Sequence, residues 1–440
     1  VNVKATVAAT DARRAALTVL ELVDEGLPFD VARDRAVTDL AERDRRLAHE
    51  LAAGVLRQQN FLDDTLAPLV ARGLPTLDPR LHRILRLGAY QLLALDRVPP
   101  HAAVSVSVDL ARDVGGDRAA GFVNAVLRRI GRAESVGRTG TGASLSPAGE
   151  LAHRYSHPAW LVTRWLARYG AVDTEALLAW NNRRPSLVVQ PARASQDELF
   201  ERFESAGLAV LPAPWGAGLV VDGGQPRDFP GYADGDFVVQ DAAQALVVRF
   251  AGVRPGSAVL DACAAPGGKT IALGRTAGQV IAADHNSQRV RRLAVNLARA
   301  GRPGLWAVVA DAAFPPVRPL DAALLDAPCL GTGTFARHPD ARTRVRPAAL
   351  LDLAVRQSEL LAGLARAVRP GGLLIYATCS LESEENETQV SRFLAQHPEF
   401  HREPSTAVPP ELLTADGDLS LFPPHHGTDG AFAARLRRAA

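Results

Sequence analysis

Three short stretches hold the residues of this chain that could do chemistry. "LLDAPCLGTG" carries Asp326 and Cys329, "YATCS" carries Cys379, and "DACAAPGGKT" (261–270) carries Asp261, Cys263 and Lys269. The last ends in the Gly-Lys-Thr that closes a nucleotide phosphate-binding loop. Such a loop also needs a glycine five residues before Gly268, where successive backbone N–H groups turn toward phosphate. Cys263 stands there instead, and Pro266 removes one N–H donor. The tail of the pattern is present and its cradle is missing, which disfavours a nucleoside triphosphatase. Scattered cysteines are usually small buried hydrophobes. Cys263, Cys329 and Cys379 are too far apart for a disulfide framework or a zinc ribbon. With His338 they make no recognised zinc spacing, and no metal is expected.

Asp261, Asp284, Asp311 and Asp326 each lie at or just before the end of an apolar, β-rich run, and Cys379 ends another. Any one of these aspartates could be a helix N-cap or a turn former. On a parallel sheet they would share one edge, which is where such sheets bind ligands. A triphosphate facing so many carboxylates is repelled unless metal intervenes. S-adenosylmethionine carries a sulfonium, an ammonium and no phosphate. Carboxylates can accept from its ribose hydroxyls, its adenine amino group and its ammonium, and glycines let the backbone approach closely. The methyl donor fits better. Lys269 stands out because Lys4 is the only other lysine in the chain.

The elements that must position these groups follow from periodicity. Residues 11–132 read as successive helices, with apolar residues at three- and four-residue spacing in "RRAALTVLELV", "LHRILRLGAYQLLAL" and "AAGFVNAVLRRI". Residues 133–149 lose that rhythm and fill with Gly, Ser and Thr, as a linker does. A helix over 157–170 and strands over 186–192 and 218–223 follow. From residue 251 five apolar strands (257–262, 278–284, 304–311, 320–327 and 372–379) alternate with helices, which predicts a parallel sheet covered on both faces. The expected organisation is a helical domain over 1–135, a linker over 136–149, a small α/β domain over 150–240 and a Rossmann-like catalytic domain over 241–440. With 47% hydrophobic and 22% charged residues, the chain has the balance of a soluble protein. It has no membrane-length apolar run and no secretory segment, so a reduced, cytoplasmic setting is expected. A net charge of +2 is too small to argue for nucleic acid by itself.

"DACAAPGGKT", "LLDAPC", "RHPD" and "YATCS" together resemble the Sun-type (Fmu) RNA cytosine-C5 methyltransferases. "LRLGAYQLLAL", "VPPHAAVSVSVDLAR" and "GFVNAVLRR" resemble the RNA-binding antitermination factor NusB. The combination is similar to the bacterial 16S ribosomal RNA 5-methylcytosine methyltransferase B group over nearly the whole chain. The resemblance implies a class I S-adenosylmethionine-dependent fold behind a NusB-like domain, with the small α/β domain helping to recognise RNA. It implies Cys379 as the nucleophile that adds to cytosine C6, Asp326 as the group acting near N3, and Cys329 in release of the adduct. Cofactor contacts carry over to Cys263, Ala264, Ala265, Pro266, Gly267, Gly268 and Lys269, and to Asp284, Asp311 and Asp326. The expected partner is ribosomal RNA, most simply 16S rRNA, acted on by a monomer. Transfer RNA, another ribosomal position, and a non-catalytic RNA-binding regulator are the alternatives. Departures from the family pattern are "VVQPAR" at 188–193, Leu330 in place of Ser or Thr, and Ala243 in place of serine. The arginine-rich "RHPDARTRVR" (337–346) is either a lining of the substrate path or a solvated loop, and "RLRR" (435–438) reads as a basic tail.

Overall fold

A computed structural model describes residues 3–131, 146–222 and 224–440. The chain forms two compact units. One comprises Val1–Arg183 with Phe335–Arg344, the other Arg184–Thr334 with Val345–Ala440.

The first unit is helical: α1 (Val3–Asp24), α2 (Phe29–Ala36), α3 (Glu42–Arg57), α4 (Gln59–Leu66), α5 (Pro79–Ala94), α6 (Pro100–Ile130), α7 (Pro147–Arg154) and α8 (Ala159–Asn181). Its core gathers Leu17, Leu20, Leu51, Leu56, Ile84, Leu87, Val123 and Leu127. "LRLGAY" shows why these helices pack closely. A Cβ on Gly88 would lie 2.4 Å from Leu127 Cδ1, and one on Gly54 would lie 1.9 Å from the Tyr90 ring. The Tyr90 hydroxyl donates to Glu50 at 2.9 Å, which gives a buried aromatic its polar partner. The expected helix over 157–170 instead runs on to Asn181, with a break at Gly170 where φ is +76°. Most of the linker expected at 136–149 lies outside the described residues. Its end is helical: α7 begins at Pro147, and Ser146 Oγ accepts from Gly149 N at 3.2 Å.

The segment 335–344 belongs to this unit although both its chain neighbours belong to the other. The solvated loop considered for it is not observed. Asp340 accepts from Phe29 N at 3.1 Å and pairs with Arg344 at 2.7 Å. Arg342 donates to Asn182 Oδ1 at 2.6 Å and Asn181 O at 2.8 Å. It is completely buried, and burial together with the like charge of Arg57 lowers its pKa. Arg342 is therefore not free to line a substrate path.

The second unit opens with β1 (Leu187–Pro191), α9 (Gln196–Ser205), β2 (Ala209–Pro212), β3 (Leu219–Asp222) and β4 (Phe237–Val239). These strands form an antiparallel sheet in the order β2-β3-β1-β4. Phe203, Phe229 and Phe237 fill its core edge to face. The next elements are α10 (Ala242–Ala251), β5 (Ala258–Ala262), α11 (Gly268–Leu273), β6 (Gln279–Asp284), α12 (Ser287–Ala300), β7 (Leu305–Val309) and β8 (Leu320–Asp326). After the short α13 (Ala341–Arg344) in the helical unit come α14 (Pro347–Ala365), β9 (Val368–Thr378), α15 (Glu387–Gln396), β10 (Phe400–Arg402), β11 (Leu419–Leu421), α16 (Pro423–His426) and β12 (Ala431–Arg438).

The large sheet has the order β10-β12-β9-β8-β5-β6-β7, with β11 beside β12. Strands β5 to β9 pair in parallel, but β12 lies antiparallel to β9 and β10 antiparallel to β12. The five strands expected to be parallel are so, and antiparallel strands added beyond β9 make the whole sheet mixed. Of the three strands of this sheet that were not expected, β10, β11 and β12, the last is the presumed basic tail. Leu436 is fully buried while Arg435 and Arg437 both pair with Glu403, so "RLRR" alternates as a strand does.

Candidate active site

Strand β5 ends in Ala262, and the turn after it reverses sharply. Cys263 has φ +60° and Gly267 φ +109°, and the Ala265–Pro266 peptide is cis. Gly267 is required on two counts. Its φ is left-handed, and a Cβ there would come 2.7 Å from Leu293 Cδ1. The loop is tied to the sheet by Ala264 N donating to Ala283 O at 2.9 Å. It is tied to α12 by Arg289 donating to Ala265 O (3.0 Å) and Asn296 to Pro266 O (2.8 Å).

The two side chains that would serve phosphate face elsewhere. Thr270 Oγ1 donates to Asp261 Oδ2 at 2.6 Å. Lys269 Nζ donates to Asp326 Oδ2 at 2.7 Å and to Gln244 Oε1. A phosphate-binding reading fails on this geometry.

Asp261 stands one residue before the end of β5, fully buried, and burial pushes its carboxyl up to about 7. Asp284 ends β6. Its Oδ1 accepts from Asn286 N at 3.0 Å, and its Oδ2 is buried with no hydrogen bond, Arg289 standing 3.3 Å away. Asp311 lies two residues beyond β7, where Ala313 N (2.9 Å) and Arg356 (3.0 and 3.1 Å) hold it. Those donors, the backbone N–H first, lower its pKa. Asp326 ends β8, and its side chain is 32% exposed. Cys263 sits among several of these groups. Its thiol is pushed up to about 12, first by burial and then by the carboxylates of Asp326, Asp284 and Asp261.

The sulfurs of Cys329 and Cys379 are 3.4 Å apart. Register brings them together: Asp326 stands opposite Ala377, and Ala327 N donates to Ala377 O at 2.8 Å. Beyond the strand ends, Gly333 N donates to Cys379 O at 3.0 Å, which closes the Cys329 loop over Cys379. The hydrogen bond with Cys379 and burial hold the Cys329 thiol well above its ordinary pKa. Among the described residues both cysteines are free. Gln244, Gln357, Tyr376 and Glu385 belong to this rim and were not foreseen. Glu385 in particular lies in the acidic run "LESEENE", yet it is completely buried.

Asp284 Oδ2, buried at the end of β6 without a hydrogen bond, fits a ribose hydroxyl of a methyl donor. A sheet of this order, with its turn after β5 and acids closing β6 and β8, defines a methyltransferase fold. The chain belongs to the 16S rRNA methyltransferase RsmB/F family. That family's profile matches residues 251–437, the NusB family's matches 10–132, and an RsmF/B-like ferredoxin-like domain matches 157–227. A Synechocystis sp. protein named as a probable ribosomal RNA small subunit methyltransferase B is 37% identical, over 97% of this chain and 99% of that one. The Klebsiella pneumoniae ribosomal RNA small subunit methyltransferase B is 33% identical over 96% of each. The crystal structure of PH0851 superposes with a TM-score of 0.82 at 26% identity, covering 98% of this chain and 99% of that one. Among the described residues no helix is long and apolar enough to cross a membrane.

Proposed function

We propose that this protein methylates C5 of a cytosine in 16S rRNA, through a covalent bond between Cys379 Sγ and cytosine C6. The observation that carries this reading is the pair of free sulfurs 3.4 Å apart, on the strand-end rim that also holds the Lys269–Asp326 pair. S-adenosylmethionine, when bound, supplies an electrophilic methyl group. The 263–269 turn, Asp284, Asp311 and Asp326 would hold it.

Cytosine C5 is a poor nucleophile while the ring is aromatic. The Cys379 thiolate adds to C6, and the displaced electron pair makes C5 enamine-like and able to take the methyl group. Negative charge builds on the ring near N3. A proton passed through Asp326 to N3 neutralises that charge and returns when Cys379 leaves, and the Lys269 ammonium paired with Asp326 opposes the charge as it builds. The C5 proton then passes to Cys329, C5=C6 re-forms and Cys379 leaves. Attack perpendicular to the ring needs an unstacked base, so the target cytosine is unpaired or extruded. The NusB-like helices and the ferredoxin-like sheet would bring the RNA, and the enzyme works as a monomer in the cytoplasm.

Denaturing gels of protein incubated with 16S rRNA and S-adenosylmethionine test this reading. Cys379→Ala should abolish turnover and leave no protein–RNA adduct, while Cys329→Ala should trap one. Adduct in Cys379→Ala and none in Cys329→Ala would reverse the roles.

A further inference from the structure

Cys329 lies between two peptide groups that are held from the same buried network. Gln357, on α14, donates through Nε2 to Pro328 O at 2.9 Å and to Glu385 Oε1 at 2.9 Å. The Glu385 carboxylate accepts from Leu330 N, at 3.0 Å to Oε1 and 3.3 Å to Oε2. Tyr376, on β9, donates to Glu385 O at 2.6 Å and lies 3.2 Å from Gln357 Oε1. Gln357, Glu385 and Tyr376 are all fully buried, so none of them meets substrate. The carbonyl before Cys329 and the amide after it are thus fixed by two side chains that also bond each other.

We propose that Gln357 and Glu385 are positioning residues that clip the Cys329 loop, set the Cys329 sulfur against Cys379, and so govern release of the RNA rather than attack on it. This rests on the reading that Cys379 adds to C6 and Cys329 takes the C5 proton. In release, Cys329 first gives its own proton to water, and then the C5–H bond breaks and the C5 proton passes to the Cys329 sulfur. The C–H electron pair re-forms C5=C6, and the C6–S bond breaks with its pair returning to Cys379. Only the proton transfer from C5 needs the Cys329 sulfur in register; the addition of Cys379 to C6 does not. Glu385 Oε1 takes both Leu330 N–H and Gln357 N–H, and Oε2 shares the first at 3.3 Å, so an amide in its place would turn an NH2 hydrogen against the Leu330 N–H donor.

The test uses the full chain with 16S rRNA and S-adenosylmethionine, comparing wild type, Glu385→Gln, Gln357→Met and Cys329→Ala. Glu385→Gln should lower kcat on the order of 10²-fold, the scale set by a misplacement of about 1 Å. KM for RNA should stay within about twofold of wild type. Covalent adduct should accumulate toward the Cys329→Ala level. Gln357→Met should act in the same direction more weakly, and it decides the matter if Glu385→Gln does not fold. Loss of kcat without adduct, while Cys329→Ala still traps one, would overturn the clip and leave the roles of the cysteines standing. No adduct in any variant, Cys329→Ala included, would remove both.

Discussion

Lys269 and Arg342 are both basic side chains shut away from water, 7% and 1% exposed, and their partners differ in kind. Lys269, at the rim of the catalytic sheet, donates to a carboxylate that is itself one-third open to solvent. Arg342, in the helical unit, donates to the main-chain oxygen of Asn181 and the amide oxygen of Asn182. A buried cation bonded to neutral oxygens pins chain segments, and removing it leaves those acceptors unsatisfied. A buried cation behind a reachable carboxylate adds little to folding but presents a charge pair to whatever binds. Burial alone does not separate a site from a scaffold; the partner does.

The sharpest way to break this distinction is to replace each cation with a neutral side chain of similar length. Lys269→Met should lower kcat on the order of 10³-fold, about 4 kcal/mol of transition-state stabilisation. Its unfolding free energy should change by less than about 1 kcal/mol, because Asp326 remains solvated. Arg342→Met should do the opposite: stability falls by about 3 kcal/mol, while kcat of the protein that remains folded is unchanged. Denaturant titration beside steady-state kinetics reads both. Equal stability losses would erase the distinction.

Asp261 sharpens it from the side of pH. Its carboxyl is raised by burial from 3.8 to about 7, so the native state holds that proton more tightly than the unfolded chain does. The resulting stabilisation is complete below about pH 4 and is lost as pH rises through 7, a swing of about 4 kcal/mol. Unfolding titrations of wild type and Asp261→Asn should diverge in slope over that range, and parallel curves would contradict the assignment. The smallest effect is expected at Arg356, whose pair with Asp311 is about two-fifths exposed on both sides. Arg356→Ala should weaken S-adenosylmethionine binding by about 1 kcal/mol or less, measured by calorimetry, by loosening Asp311.

The strand ends were legible in the sequence because two signals coincide there. Apolar β-rich runs stop at Asp284, Asp326 and Cys379, and the motifs around them carry the family resemblance. Glu385 and Gln357 were not legible, since burial of a carboxylate depends on Leu330 N–H and on a glutamine 28 residues away in sequence. The arginines of 337–346 misled for a related reason. A run of charge reads as solvated, but Arg342 meets oxygens that only the folded helical unit supplies. Strand β9 begins at Val368, four residues before the expected 372, because "RPGG" reads as a turn although the pairing Leu320↔Val368 persists across a register shift. "RLRR" did alternate, yet its position at the chain's end suggested a tail.

Release of tritium from 16S rRNA labelled at cytosine C5 tests the central claim most directly. Tritium should appear in water only with S-adenosylmethionine present, one atom for each methyl group incorporated, and not at all with Cys379→Ala. Methyl incorporation without tritium release would place the methyl group on another atom and contradict the covalent C6 route.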